Sequence, residues 1–228
     1  MKSYSRTFLG GMSCFYQLIH SACNNVVVHY AKETLQDAVG QDVSTHASPR
    51  TVEAAKGENK NCTQLQSLDV SDTAGAITDV SIKLLAMRCR QLKSLNVSEN
   101  EGAVTDESIK AIANYCRHLE SLIMAKTKGC ITDASTQLIG SNCPKLRSLD
   151  VSDTAGAVTD VSMKLVAANC VSLQSLSVAW TKGKITDDSI ALIAINCRNL
   201  RSINVGGVGS EISDVSISKF DKKCKIES

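Results

Sequence analysis

The residues able to do chemistry in this 228-residue chain are ten cysteines, four histidines and a recurring series of Ser–Asp and Thr–Asp pairs. Metal binding needs ligands grouped at short spacing, and His20, His29, His46 and His118 show no such grouping. Nucleophilic catalysis needs a base beside the hydroxyl. Ser71-Asp72 and Ser152-Asp153 recur without a histidine, so no nucleophile has its base. Glycines stand one per loop, which does not make a phosphate cradle. The repeated Thr–Asp pairs supply a single carboxylate at each helix start, more simply an N-cap than a calcium ligand. The expectation is a protein that is not an enzyme and holds neither cofactor nor metal.

The cysteines carry a different message. Cys62, Cys89, Cys116, Cys143, Cys170, Cys197 and Cys224 are each 27 residues apart, with Cys14, Cys23 and Cys130 off the series. A fixed period of this length marks a stacked repeat array. Cys62-TQ-Leu65-QS-Leu68-D-Val70 is followed by Cys89-RQ-Leu92-KS-Leu95-N-Val97 and Cys116-RH-Leu119-ES-Leu122-I-Met124, and the same opening recurs from Cys143, Cys170 and Cys197. A second half follows in each repeat, at Ile77-Thr78-Asp79, Val104-Thr105-Asp106, Ile131-Thr132-Asp133, Val158-Thr159-Asp160, Ile185-Thr186-Asp187 and Ile212-Ser213-Asp214. Six repeats thus occupy residues 62–223.

Each half has its own periodicity. In Ser67-Leu68-Asp69-Val70-Ser71 apolar and small polar residues alternate, as a strand with one buried face requires. Asp79 then stands at an N-cap position, and Ile82, Leu85, Ala86 and Cys89 make the inward stripe of a helix. Asn142, Asn169 and Asn196 precede the cysteine in three repeats and are expected to end helices in the left-handed conformation. Gly75, Gly102, Gly129, Gly156 and Gly183 are expected to take positive φ in the strand-to-helix loop. One strand and one helix per repeat predict an α/β solenoid, a horseshoe with parallel strands on the concave face and helices on the convex face.

The pattern C-x-x-L-x-x-L-x-L followed by I-T-D and an apolar helix resembles the cysteine-containing leucine-rich repeats of F-box/leucine-rich-repeat proteins, which are ribonuclease-inhibitor-like solenoids. This chain departs from them in two ways. Its repeats are one residue longer between strand and I-T-D, and the residue that is Cys or Asn in the family is Thr73, Thr127, Thr154 and Thr181 here, with Asn100 and Val208 as the exceptions. The resemblance implies a protein-interaction module like the substrate-recognition part of a Skp-cullin-F-box ubiquitin ligase, acting in ubiquitin-dependent degradation with a Skp-type adaptor as a further partner. The alternative is a stand-alone scaffold or regulatory repeat protein without a ubiquitin connection.

Composition agrees with a repeat array. The chain is 43% hydrophobic with 4% aromatic residues, so thin layers of Leu, Ile, Val, Ala and Cys must fill the core. A net charge of +2 gives no electrostatic case for nucleic acid as the main partner, and no apolar run is long enough for a membrane span. Free periodic thiols, pointing in parallel into the core, imply a reducing compartment, cytoplasm or nucleus.

Residues 1–61 read as an N-terminal cap with a linker, and 62–228 as the repeat domain with a C-terminal cap. Phe15, Leu18, Ile19 and Ala22 follow helical spacing, Val26-Val27-Val28 suits a short strand, and 40–61, with Pro49 and Gly57, suits a linker. Neither a Leu-Pro start nor a downstream Trp marks an F-box. Lys2 and Arg6, with no acid before residue 33, slightly resemble an organellar presequence. The last repeat has Asp221 for the inward Ala, with Lys219, Lys222 and Lys223 beside it, as a polar end cap would.

Function then falls to a surface. The outward strand positions collect Asp69, Asn96, Ile123, Asp150, Ser177 and Asn204, and the repeats disagree most just after the strand, at Asp72, Glu99, Lys126, Asp153, Trp180 and Gly207. Asp69, Asp72, Glu99, Ile123, Lys126, Asp150, Asp153 and Trp180 are the expected protein-binding residues. Trp180 either contacts the partner or packs on Lys182 or its loop. The acidic balance of this face suits a basic partner with an apolar anchor. Ala191 and Ile195, where earlier helices carry Lys83, Lys110 and Lys164, are a second candidate surface.

Overall fold

The computed structural model describes residues 27–29, 65–73, 77–182, 184–208 and 212–227. The expectations placed on Cys14, Cys23, Cys62, Gly75, Gly183, His20, His46 and the helices and linker before residue 62 lie outside the described residues.

The strands are β1 (Val27–His29), β2 (Ser67–Asp69), β3 (Ser94–Asn96), β4 (Ser121–Ile123), β5 (Ser148–Asp150), β6 (Ser175–Ser177), β7 (Ser202–Asn204) and β8 (Lys225–Glu227). They form one parallel sheet in sequence order. Helices α1 (Asp79–Arg88), α2 (Asp106–Tyr115), α3 (Asp133–Asn142), α4 (Asp160–Asn169), α5 (Asp187–Asn196) and the short α6 (Asp214–Ile217) follow β2 to β7. The architecture is the expected leucine-rich-repeat solenoid.

Register is strict because the repeats have equal length. Ser67, Ser94, Ser121, Ser148, Ser175 and Ser202 stand side by side, and so do Leu68, Leu95, Leu122, Leu149, Leu176 and Ile203. In β2 to β7 the central residue is buried and its two neighbours are half-exposed. A slip of one residue would turn this leucine ladder out to solvent, at a cost of about 1.5–3 kcal/mol for each side chain. The valine segment before the repeats contributes β1, which pairs with β2. Beyond the short α6, Lys225–Glu227 adds an exposed edge strand, with Lys219, Asp221, Lys222 and Lys223 also exposed.

Two local expectations change. The N-cap of α1 to α5 is the threonine before the aspartate, at Thr78, Thr105, Thr132, Thr159 and Thr186, and Asp79 and its equivalents are the first helical residues. The Thr105, Thr132, Thr159 and Thr186 hydroxyls accept the N–H bonds of Glu107, Ala134, Val161 and Asp188, which is the cap. Asn142, Asn169 and Asn196 are not left-handed. They are the last helical residues, and the next residue, Cys143, Cys170 or Cys197, has negative φ and donates its N–H to the carbonyl four residues back. Gly102, Gly129 and Gly156 do take positive φ, between 77° and 83°.

Inside the stack, Cys89, Cys116, Cys143, Cys170 and Cys197 are buried. The Cys116 and Cys170 thiols reach the carbonyls of Cys89 and Cys143, each at 3.6 Å, and Cys197 reaches Cys170 at the same distance. Burial pushes the Cys116, Cys143 and Cys170 thiols up to about 12. Buried thiols this reluctant to ionise are packing groups, not nucleophiles.

Candidate protein-binding surface

Two columns of side chains at the strand-to-helix edge differ in how far their polar atoms are committed to the fold. The first is made by the helix-starting aspartates. Asp106 accepts, through Oδ1, the Thr132 N–H at 2.8 Å and the Ser135 hydroxyl at 2.6 Å, and through Oδ2 the Thr132 hydroxyl at 2.7 Å. Asp79 does the same for Thr105 and Ser108, Asp133 for Thr159 and Ser162, and Asp160 for Thr186 and Ser189. Each carboxylate thus completes the helix start of the next repeat. Burial raises the Asp79, Asp106 and Asp160 carboxyls, but the hydrogen bonds they accept outweigh it, and all three titrate below the ordinary aspartate value. With its oxygens committed, this column has a structural role.

The second column is the one just after each strand. Asp72, Glu99, Lys126, Asp153 and Trp180 all have left-handed backbones, with φ between 50° and 59°, and Gly207 follows at 65°. Glycine would take this conformation without penalty, whereas other residues pay for it. The conformation is held because each N–H donates to the next repeat, Asp72 to Ser98, Glu99 to Ala125, Lys126 to Ser152, Asp153 to Ala179 and Trp180 to Gly206. The backbone is therefore the same in every repeat while the side chains differ, and all six are exposed. Lys126 pairs with Glu99 at 2.8 Å.

Trp180 is 63% exposed. Its six-membered ring lies over Gly207, where a Cβ would come within 2.4 Å of the ring carbons. The indole thus rests on the loop of the following repeat. Backbone supports one face of the ring and leaves most of it in solvent.

On the concave face Asp69, Asn96, Ile123, Asp150, Ser177 and Asn204 stand in one register row. Asp150 Oδ1 accepts from the Ser152 N–H at 2.9 Å and from its hydroxyl, Asp69 does likewise for Ser71, and Asn96 for Ser98. One oxygen of each side chain thus shapes the strand's exit. Ile123 interrupts the row as an apolar, half-exposed residue. The structure brings Asp69, Ile123 and Asp150 onto the concave face and Asp72, Glu99, Lys126, Asp153 and Trp180 onto its rim. On the convex face Ile195 is exposed and Ala191 half-buried, with Leu192 exposed beside them.

Among the described residues no three His, Cys, Asp or Glu side chains are grouped to hold a metal ion, and no helix is long and apolar enough to cross a membrane.

Comparison with known proteins adds the following. Residues 88–113 match the leucine-rich-repeat family model. A search of curated proteins finds no match. The structure is similar to the yeast complex of Rad7 and Elc1, at 20% identity and a TM-score of 0.56 over 68% of this chain and 46% of the chain it matches, so it spans less than half of that protein. It is also similar to the leucine-rich-repeat-containing protein LegL7 from Legionella pneumophila, at 18% identity and a TM-score of 0.45 over 76% of this chain and 57% of the other. At these identities the likeness is one of fold.

Proposed function

We propose, starting from the leucine-rich-repeat fold of this chain, that it is a non-enzymatic recognition module whose protein partner docks across the concave face and its strand-to-helix rim. The observation that carries the reading is the left-handed rim column. Five repeats hold a costly non-glycine conformation at one position, and they use it to present two aspartates, a glutamate, a lysine and a tryptophan, all exposed. Trp180 is the apolar anchor of this surface, kept open by the Gly207 platform. Asp150 and Asp153 stand in the neighbouring repeat and Asp69 and Asp72 further along the same face, and this negative charge suits a partner carrying Lys or Arg beside an apolar side chain.

The finer reading is that this module serves as the substrate-recognition part of a Skp-cullin-F-box ubiquitin ligase in the cytoplasm or nucleus. Its support is the resemblance of the repeats to those of F-box/leucine-rich-repeat proteins and the fold shared with a protein solved in complex with another, Rad7 with Elc1. Fold alone does not assign function. Co-precipitation with a Skp-type adaptor and a cullin is the expected result, and a clean negative with folded protein sinks the ligase role in favour of a stand-alone scaffold.

The docking surface has its own test. A pull-down with the wild-type chain, read by mass spectrometry, is compared with Trp180→Ala and Asp150→Asn. The asparagine keeps the Oδ1 acceptor that Asn96 already supplies in its own repeat, so charge is removed without loss of the turn. Both variants should lose the partner while their thermal midpoints stay near that of the wild type. Undiminished capture by both would place the site elsewhere.

A further inference from the structure

The opposite edge of the solenoid, where helices turn back into strands, carries the reverse charge. Three successive turns expose Arg90 and Lys93 after α1, Arg117 after α2, and Lys145 and Arg147 after α3. Glu120 is the sole carboxylate in these turns, 3.5 Å from Arg147. The other four cations have no carboxylate partner among the described residues. The Arg90 guanidinium lies 5.9 Å from the Tyr115 ring centroid and Lys145 Nζ lies 3.1 Å from His118 Nδ1. Four lysines elsewhere on the repeats, Lys83, Lys110, Lys126 and Lys164, are by contrast each paired with an acid.

Compensation of the helix dipoles does not account for the row. That effect falls off within the last helical turn. Lys93 and Arg147 lie four residues past the cap cysteines, at the entry to β3 and β5. Arg198 shows what capping looks like, its Nε donating to the Ile195 carbonyl. The turns are also held in line, for Glu120 N–H donates to the Lys93 carbonyl and Arg147 N–H to the Glu120 carbonyl, both at 2.7 Å.

We propose that this edge is a second docking surface, for an extended acidic segment of a partner protein running along the stack across Arg90, Lys93, Arg117, Lys145 and Arg147. Charge complementarity is the argument. Consecutive turns advance by about 4.8 Å, and carboxylates on alternate residues of an extended chain lie about 7 Å apart, a mismatch that Arg and Lys side chains span. Glu120 within the row and a net charge of only +2 disfavour a nucleic-acid backbone, which needs an unbroken positive track and a long-range field.

The test titrates the full chain into a fluorescein-labelled peptide of six Glu-Ser repeats and follows anisotropy. Saturable binding is expected, weakened at least tenfold by Arg117→Glu with Lys145→Glu, and weakened by salt. The control Lys222→Glu with Lys223→Glu, on the C-terminal cap, should bind as the wild type does. Circular dichroism melting establishes that each variant is folded. The proposal is overturned if the peptide does not saturate, if the control loses binding equally, or if a single-stranded oligonucleotide of equal charge binds more tightly. Sedimentation showing that the chain's own copies occupy the edge would overturn it as well.

Discussion

Beyond the backbone bonds, side chains tie each repeat to the next differently at the two edges, by a carboxylate that accepts up to three hydrogen bonds at the strand-to-helix edge and by a thiol resting on a carbonyl at the helix-to-strand edge. Both follow from stacking helices in parallel. Their N-terminal ends, rich in unpaired N–H groups, gather on one side and attract an acceptor that can serve two repeats at once. Their C-terminal ends gather on the other, where the cap cysteine keeps an ordinary helical N–H bond and needs only to fill space. The lesson is that the acidic edge supplies specific bonds and the cysteine edge supplies packing, so the two should fail differently.

The largest effect is expected at the acidic clasp. Asp106→Ala leaves the Thr132 N–H and hydroxyl and the Ser135 hydroxyl without their acceptor, and about 2–3 kcal/mol of stability should be lost in urea unfolding. Asp106→Asn, which keeps one carbonyl oxygen, should cost less than half of that. If alanine proves harmless, the carboxylate bonds are not what joins the repeats. At the other edge Cys143→Ser buries a hydroxyl whose shorter bond reaches the Cys116 carbonyl poorly, and the expected cost is about 1–2 kcal/mol. Cys143→Ala should be milder than serine. The reverse order would mean that the position is polar.

Much of this division could be read from the residues. The period, the leucine ladder and the variable rim column follow directly from alignment on the cysteine. The role of Asp79 and its equivalents does not, because within a single repeat an Asp before an apolar stripe looks like an N-cap. The donors it serves stand 26 and 29 residues further on, close only after stacking. Left-handed Asp72, Glu99, Lys126, Asp153 and Trp180 were equally hidden, since positive φ is looked for at glycine and the N–H bond that holds these residues is to the next repeat. The basic edge is hard to read in the sequence because no single position of the turn is basic in all three repeats and the net charge of the chain is near zero.

The two edges should also separate by pH. Asp79, Asp106 and Asp160 titrate below their unfolded value of about 3.9, so their contribution is complete above that pH and is lost as pH falls through the depressed folded value. The cysteines run the other way. With folded thiols raised to about 12 at Cys116, Cys143 and Cys170, stability is complete below the unfolded thiol value of about 8.5 and declines from there toward pH 12. Urea midpoints should therefore be flat from about pH 5 to 8 and fall on both sides. Asp106→Asn should blunt the acid limb alone and Cys143→Ala the alkaline limb alone. A variant that altered both limbs would show that the edges are not independent.

The smallest effect separates bonded from unbonded hydroxyls within the acidic edge itself. Behind the rim, Thr73, Asn100, Thr127, Thr154 and Thr181 form a buried column. Asn100 is satisfied, donating to the Val70 and Val97 carbonyls and accepting from the Thr73 hydroxyl, and Thr181 donates to the Val178 carbonyl at 2.9 Å. The Thr127 and Thr154 hydroxyls are buried with no hydrogen-bond partner among the described residues. A desolvated hydroxyl without a partner costs free energy that valine, of nearly the same shape, avoids. Thr154→Val should thus be neutral or stabilise by up to about 1 kcal/mol, whereas Thr181→Val, which breaks a made bond, should destabilise by about 1 kcal/mol. The opposite sign of the two shifts in urea midpoint is the informative result. If both valines destabilise alike, then the Thr154 hydroxyl is bonded in solution, and the column supports the rim as uniformly as the aspartates join the helices.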